Sequence, residues 1–223
     1  MERLILGIDD AGRGPVIGPM VLAGCLMDEK AEAELKKIGV RDSKQLTPKR
    51  REFFEKQIKE KSRGYETVLI YPEEIDNKNA EGLKLNELEA IAFAKIINKL
   101  NKGDEKIKVI IDCPSTSINK WRDFLRTKIK DLSNLEVCCE HKADRNHIAV
   151  SAASIIAKNT REREVSKLKE KYGEIGSGYP SDPTTKKFLA NNAKRHSNKG
   201  IFRKTWATWK RFQSKSEQKK LEF

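Results

Sequence analysis

Long apolar runs are missing from this sequence. No stretch approaches the ~20 apolar residues that a membrane-spanning helix requires. The opening Met1-Glu2-Arg3-Leu4-Ile5-Leu6-Gly7 enters a strand-like segment at once and lacks a signal-peptide layout. A cytoplasmic location is therefore expected. Cysteine is scarce: Cys25, Cys113, Cys138 and Cys139, with no Cys-x-x-Cys pair. That argues against a zinc site or a disulfide framework and for reduced, buried thiols. Internal repeats and low-complexity linkers are missing too. The 223 residues suit one large domain, or one domain with a small appendage.

Charge is plentiful. Charged residues make up 35% and hydrophobic residues 37%, with 46 Lys+Arg against 33 Asp+Glu for a net +13. The apolar residues fall in periodic blocks, so the chain is expected to be ordered. The positive surplus points to a polyanionic partner, nucleic acid first. It is concentrated at the end. Ten cations from Lys194 to Lys220 meet only Glu217 and Glu222 in the last thirty residues, with Trp206, Trp209 and Phe212 interleaved. Two readings stand together there: aromatics packed inward on the protein, and cations facing a nucleic acid.

The pattern along the chain predicts strands at Arg3–Asp9, Pro19–Met27, Tyr65–Tyr71, Lys106–Asp112 and Leu135–Cys139. Helices are expected at Glu29–Ile38, Thr47–Arg63, Leu83–Leu100, Thr116–Lys130, about Asn146–Tyr172, Thr184–Arg195 and Arg203–Ser214. Thr47 is a candidate N-cap with Pro48 at the first helical position. Ser151-Ala152-Ala153-Ser154-Ile155-Ile156-Ala157 is small and apolar, which suits a central helix lying close on a sheet. The expected fold is α/β: a mixed β-sheet flanked by helices, with a helical C-terminal extension. The expected division is a main α/β domain over 1–172 and a basic helical extension over 173–223.

Four acids stand in unusual places. Asp9 and Asp10 close the apolar strand Leu4–Ile8, Asp112 closes Val109-Ile110-Ile111, and Asp144 lies between a strand and the central helix. Strand interiors disfavour Asp, and ligand sites in α/β sheets form at strand ends. Each acid alone can be a turn residue or a helix cap, Asp144 especially. Together they repel unless a cation neutralises them, which is the logic of a Mg²⁺ site. Two such ions would activate a water and stabilise the leaving oxygen of a phosphodiester.

The motifs around these acids carry a resemblance. Gly7-Ile8-Asp9-Asp10-Ala11-Gly12-Arg13-Gly14-Pro15 is followed in order by Arg41-Asp42-Ser43-Lys44, Leu85-Asn86-Glu87, Ile111-Asp112 and His141-Lys142-Ala143-Asp144. Val150–Lys158, Gly176–Pro183 and Arg203-Lys204-Thr205-Trp206 complete the series. Over almost the whole chain these segments resemble the type 2 ribonucleases H, the ribonuclease HII family in its archaeal form.

The resemblance implies a ribonuclease H-like core. It implies cleavage of RNA in RNA/DNA hybrids and incision 5′ of single ribonucleotides in duplex DNA, leaving a 3′-hydroxyl and a 5′-phosphate. The family's catalytic, metal-binding acids correspond to Asp9, Asp10, Asp112 and Asp144, with two Mg²⁺ or Mn²⁺ ions per site. Asp9 is expected to bridge the ions and the other three to complete the coordination. The Gly-Arg-Gly element corresponds to Gly12, Arg13 and Gly14, whose backbone can approach the 2′-hydroxyl without a Cβ in the way. Arg13 can hold the neighbouring phosphate. The junction-sensing tyrosine corresponds to Tyr179. Ser43, Lys44 and Lys142 are expected on backbone phosphates.

Two departures stand out. The family usually has Glu where this chain has Asp10, one methylene shorter. Arg145-Asn146-His147-Ile148-Ala149 replaces a more apolar, usually proline-containing stretch. His147 reads either as a proton carrier or as a solvated histidine at a helix start. Other readings are a ribonuclease H-fold DNA endonuclease of resolvase type, and a hybrid-binding protein weakened by Asp10. A monomer is expected. Gln213-Ser214-Lys215-Ser216 and Gln218–Phe223 are imperfect candidates for a sliding-clamp-binding peptide, against a frayed terminus.

Overall fold

The computed structural model describes residues 4–40 and 46–213. Five strands, β1 (Leu4–Ala11), β2 (Met20–Met27), β3 (Gly64–Ile70), β4 (Ile107–Asp112) and β5 (Leu135–Glu140), form one sheet in the order β3-β2-β1-β4-β5. β1 pairs antiparallel with β2 and parallel with β4, which pairs parallel with β5. The sheet is mixed, as the sequence pattern predicts. All eight residues of β2 are buried, so both its faces are covered, and the run carries no polar alternation.

The helices include α1 (Glu29–Lys37), α2 (Pro48–Lys61), α3 (Pro72–Ala80), α4 (Leu85–Leu100), α5 (Ile118–Arg126), α6 (Ala143–Asn146), α7 (Ile148–Tyr172) and α8 (Pro183–His196). The cap expected at Thr47 is present, and Asp28 caps α1 as well. Thr47 accepts from Arg50 N at 3.4 Å with Pro48 following, and Asp28 accepts from Ala31 N at 2.8 Å. None of these helices is long and apolar enough to cross a membrane.

Three details differ from the sequence pattern. The helix expected from about Asn146 is α7, which starts at Ile148; the short α6 precedes it, parted from it by His147 in extended backbone (φ −126°, ψ 124°). The helix expected over Thr116–Lys130 contracts to α5. Between Tyr71 and Leu83, where the sequence pattern assigns no element, stands α3, with Pro72 in its first turn.

The chain divides into two compact units. The first comprises the residues up to Ala11, Val21–Val68 and Leu85–Thr160; the second comprises Gly12–Met20, Leu69–Lys84 and the chain from Arg161. The division therefore takes a different course from a single cut after residue 172. In the first unit, α7 lies directly on β1. A Cβ built on Gly7 would fall 2.0 Å from Ala149 C and 2.2 Å from Val150 N, so only glycine permits this backbone-to-backbone approach. Ala149–Ala157 is buried on every side of the helix, which explains its small residues.

The second unit has its own core of Val16, Ile17, Val165, Ile175, Phe188 and Phe202 with their neighbours. Trp209 is buried there, 4.6 Å from the Phe202 ring, and Trp206 and Phe212 pack against the cluster. The aromatics of the basic segment thus point inward while Lys210 and Arg211 stay exposed. None of the four cysteines forms a disulfide. Burial pushes the Cys25 and Cys139 thiols up to about 12, which makes them poor nucleophiles.

Candidate active site

The acids converge in the first unit. The register that pairs Ile8 with Ile111 brings Asp9 and Asp112 to the same edge of the sheet. α6 supplies Asp144, which is 1% exposed. Each of Asp9, Asp112 and Asp144 offers a carboxylate oxygen within 4.8 Å of the others. Asp9 is buried and accepts from Asp10 N at 2.7 Å; Asp112 accepts from Ala143 N at 3.3 Å.

Burial pushes the Asp9 carboxyl well above the usual carboxylate range, and the charge of Asp10 acts the same way. A hydrogen bond from Ser154 opposes the rise, and Asp112 adds to it. Asp10 is outside the three-acid group. Successive strand side chains point to opposite faces, and Asp10 is the half-buried residue of its strand beside a buried Asp9.

A trio of carboxylates, with Asp9 and Asp144 buried and Asp112 partly so, is an oxygen-only donor set. Hard divalent cations such as Mg²⁺ and Mn²⁺ take oxygen ligands. Burial first, then the charges of Asp10 and Asp112, disfavour an ionised Asp9, which a bound cation would offset. The residues present therefore fit a divalent metal.

The turn before Asp144 is strained. Lys142 takes φ 60°, the one left-handed residue other than glycine among those described. Its side chain is exposed. His147 contacts Glu140, the residue paired in register with Asp112. Ser43 and Lys44 lie outside the described residues, as does the tail beyond Gln213.

The Gly-Arg-Gly loop belongs to the second unit. Arg203, fully buried, holds it from inside. Its Nη2 donates to Gly12 O at 2.6 Å and to Gly18 O at 3.0 Å, Nη1 to Arg13 O at 2.8 Å, and Nε to Gly18 O at 3.1 Å. Trp206 lies against the guanidinium, 5.0 Å from ring centroid to Cζ. Val16 N and Ile17 N donate to Gly178 O at 2.8 and 3.3 Å, tying the loop to the segment that carries Tyr179.

That segment is fastened by Asp182, which accepts from Ser177 N at 2.6 Å and Thr184 N at 2.9 Å. The bonds from Ser177 hold the Asp182 carboxyl well below the usual range. Thr185 Oγ1 donates to Ile175 O at 2.9 Å and accepts from Gly178 N at 3.0 Å. Tyr179 and Gly14 are both exposed, and a Cβ on Gly14 would sit 3.6 Å from the tyrosine ring. The structure thus brings Gly12, Arg13, Gly14 and Tyr179 together in one unit, and Asp9, Asp112 and Asp144 together in the other. Ser154 and Asp182 carry no role in the sequence pattern, because each acts through a partner far off in the chain or through a backbone atom; Arg203, counted there among the cations facing a nucleic acid, is instead buried.

Comparison with known proteins bears on what these two groups do. The family model for ribonuclease HII matches residues 6–209. A ribonuclease HII of Methanococcus maripaludis (strain C5) is 46% identical over 222 residues, covering 98% of this chain and 91% of the relative. The crystal structure of ribonuclease H2 from Pyrococcus horikoshii OT3 superposes with a TM-score of 0.84 at 42% identity, covering 95% of this chain and 98% of that one. A structure titled as a PCNA:RNase HII complex from Archaeoglobus fulgidus matches with a TM-score of 0.80 at 37% identity, over 91% of this chain and 95% of that one. With its ribonuclease H-like sheet and buried acids, this chain belongs to the ribonuclease HII family and is a metal-dependent ribonuclease H.

Proposed function

We propose that this protein cuts the RNA strand of RNA/DNA hybrids and incises 5′ of single ribonucleotides embedded in duplex DNA, leaving a 3′-hydroxyl and a 5′-phosphate. The convergence of Asp9, Asp112 and Asp144 carries the reading. In it, these three acids, with Asp10 beside them in the chain, hold two Mg²⁺ or Mn²⁺ ions. Bound there, the ions supply water activation and stabilisation of the leaving oxygen.

The protein's own groups orient the reactants. Ser154 fixes the rotamer of Asp9 through its hydrogen bond. Asp112 is held by Ala143 N, which stands just before Asp144 in the chain. The Gly12–Gly14 backbone reads the 2′-hydroxyl, which both donates and accepts a hydrogen bond. The four bonds from Arg203 support this reading, since they set the direction of the loop's peptide groups before substrate arrives. Arg13 takes the adjacent phosphate. Tyr179 stacks on the deoxyribose that follows the ribonucleotide. Ser43, Lys44 and Lys142 take backbone phosphates further along.

The enzyme acts as a monomer in this reading. Its tail, Gln218–Phe223, binds a sliding clamp, a partner suggested by the PCNA complex of the Archaeoglobus relative.

A duplex DNA carrying one ribonucleotide, incubated with Mg²⁺ or Mn²⁺, tests the proposal. Incision 5′ of the ribonucleotide is expected. Binding without cleavage would overturn it in favour of a hybrid-binding protein, and cutting of all-DNA branched substrates in favour of a DNA nuclease.

A further inference from the structure

Arg161, in the second unit, is 8% exposed, an unusual state for a side chain that normally keeps its head in water. It runs between two glycines. A Cβ on Gly12 would fall 2.4 Å from Arg161 Cδ and Nε, and a Cβ on Gly178 would fall 3.4 Å from Nη2. Both glycines have φ of +82°. At its far end the guanidinium donates from Nη2 to Ser177 O at 2.9 Å and lies 5.0 Å from the centroid of the Tyr179 ring. Burial lowers the pKa of Arg161, yet an arginine remains charged at neutral pH.

One buried cation therefore touches two parts of the reading apparatus. Its stem fills the space that a side chain at position 12 would need. Its head grips the backbone two residues before Tyr179 and meets the tyrosine's π-system. The Tyr179 ring in turn lies at contact distance from the position of a Gly14 side chain.

We propose that Arg161 is a positioning residue for substrate choice: it sets the placement of the Tyr179 ring beside Gly14 while its stem packs against Gly12. It touches no reacting atom, so its effect falls on how well the enzyme tells a single ribonucleotide in DNA from a continuous RNA strand. The inference rests on the reading that Tyr179 stacks at the ribonucleotide–DNA junction.

The test compares kcat/KM on two duplexes, one with a single ribonucleotide in DNA and one with a continuous RNA strand on DNA. The ratio of the two cancels any general loss of folded enzyme. Arg161→Gln should lower the ratio about tenfold, the size of a lost cation–π contact and hydrogen bond. The loss should appear as a higher KM on the single-ribonucleotide duplex. Arg161→Lys keeps the charge without the planar fork and should fall between. In a Tyr179→Ala background, Arg161→Gln should change the ratio no further.

Equal losses on both substrates would make Arg161 merely structural and overturn the proposal, as would additive effects of the two substitutions. If Tyr179→Ala moves the ratio and Arg161→Gln does not, the positioning role alone fails. If Tyr179→Ala leaves the ratio unmoved, the junction reading fails and the positioning role fails with it.

Discussion

The two units of this protein hold charge in opposite ways. In the first, Asp9, Asp112 and Asp144 are crowded together, and burial and repulsion push Asp9 up. In the second, the buried Arg203 donates four hydrogen bonds to loop carbonyls, and Asp182 accepts from two backbone N–H groups. One group is incomplete without a cation. The other is complete as it stands. The difference fits the chemistry: a metal site must keep unspent negative charge, whereas a loop that reads a hydroxyl must be rigid beforehand.

Removing one acid should break the first region most sharply. Asp112→Asn is expected to cut turnover by roughly 10³-fold, the scale of losing a principal electrostatic contact in a reaction centre. Substrate affinity and thermal stability should hold, because a repelling charge has been removed. Single-turnover cleavage, equilibrium binding and a melting curve measure the three. Unchanged turnover would sink the assignment.

The mirror experiment breaks the second region. Arg203→Met would leave the carbonyls of Gly12, Arg13 and Gly18 without these donors inside a packed core. A loss of about 3 kcal/mol is expected, at the scale of stranded buried polar groups. Urea unfolding measures it. Metal-free Asp112→Asn should show no such loss, and a similar loss in both variants would erase the contrast.

Much of the first region was legible in the sequence, because an apolar strand ending in Asp is a local anomaly that needs no partner to be noticed. The strand positions along the chain and the close approach of the central helix follow from apolar runs and small residues. α3 escaped because only Pro72 and Ile75 of its nine residues are buried, too few for a period to show. The pattern puts His147 at a helix start, but its extended backbone, which parts α6 from α7, carries no mark in composition. The second region was legible only as motifs. Arg203 reaches carbonyls 185 to 191 positions away in the chain, and no spacing rule connects such residues. Ser154 sits in a small, apolar helical run that marks only packing, and its bond to Asp9 emerges only when the helix lies on β1.

A milder change sharpens the first region. Asp10 lies outside the three-acid group, and a longer side chain would extend its reach. Asp10→Glu is therefore expected to keep or raise cleavage, by at most about threefold, since it alters reach and not charge. Steady-state cleavage across Mg²⁺ and Mn²⁺ concentrations checks it. A large loss would show a site adapted to the shorter acid.

The smallest effect concerns acid stability, where the two regions should differ in sign. Asp182 has a lowered folded pKa, so its stabilisation is present above the unfolded value of 3.8 and is lost as pH falls below it through the folded value. Asp9 has a raised folded pKa, so in metal-free protein its contribution is most favourable below the unfolded value and is lost as pH rises through the folded one. Stability of the metal-free protein, followed by urea unfolding from neutral pH down to about pH 3, separates them. Asp182→Asn should flatten the decline at the acid end. Asp9→Asn should remove the opposite slope nearer neutrality, and added Mg²⁺ should raise the stability of the parent protein there while leaving that variant less affected. If both variants flattened the same limb, the contrast between an unspent charge and a satisfied one would not hold.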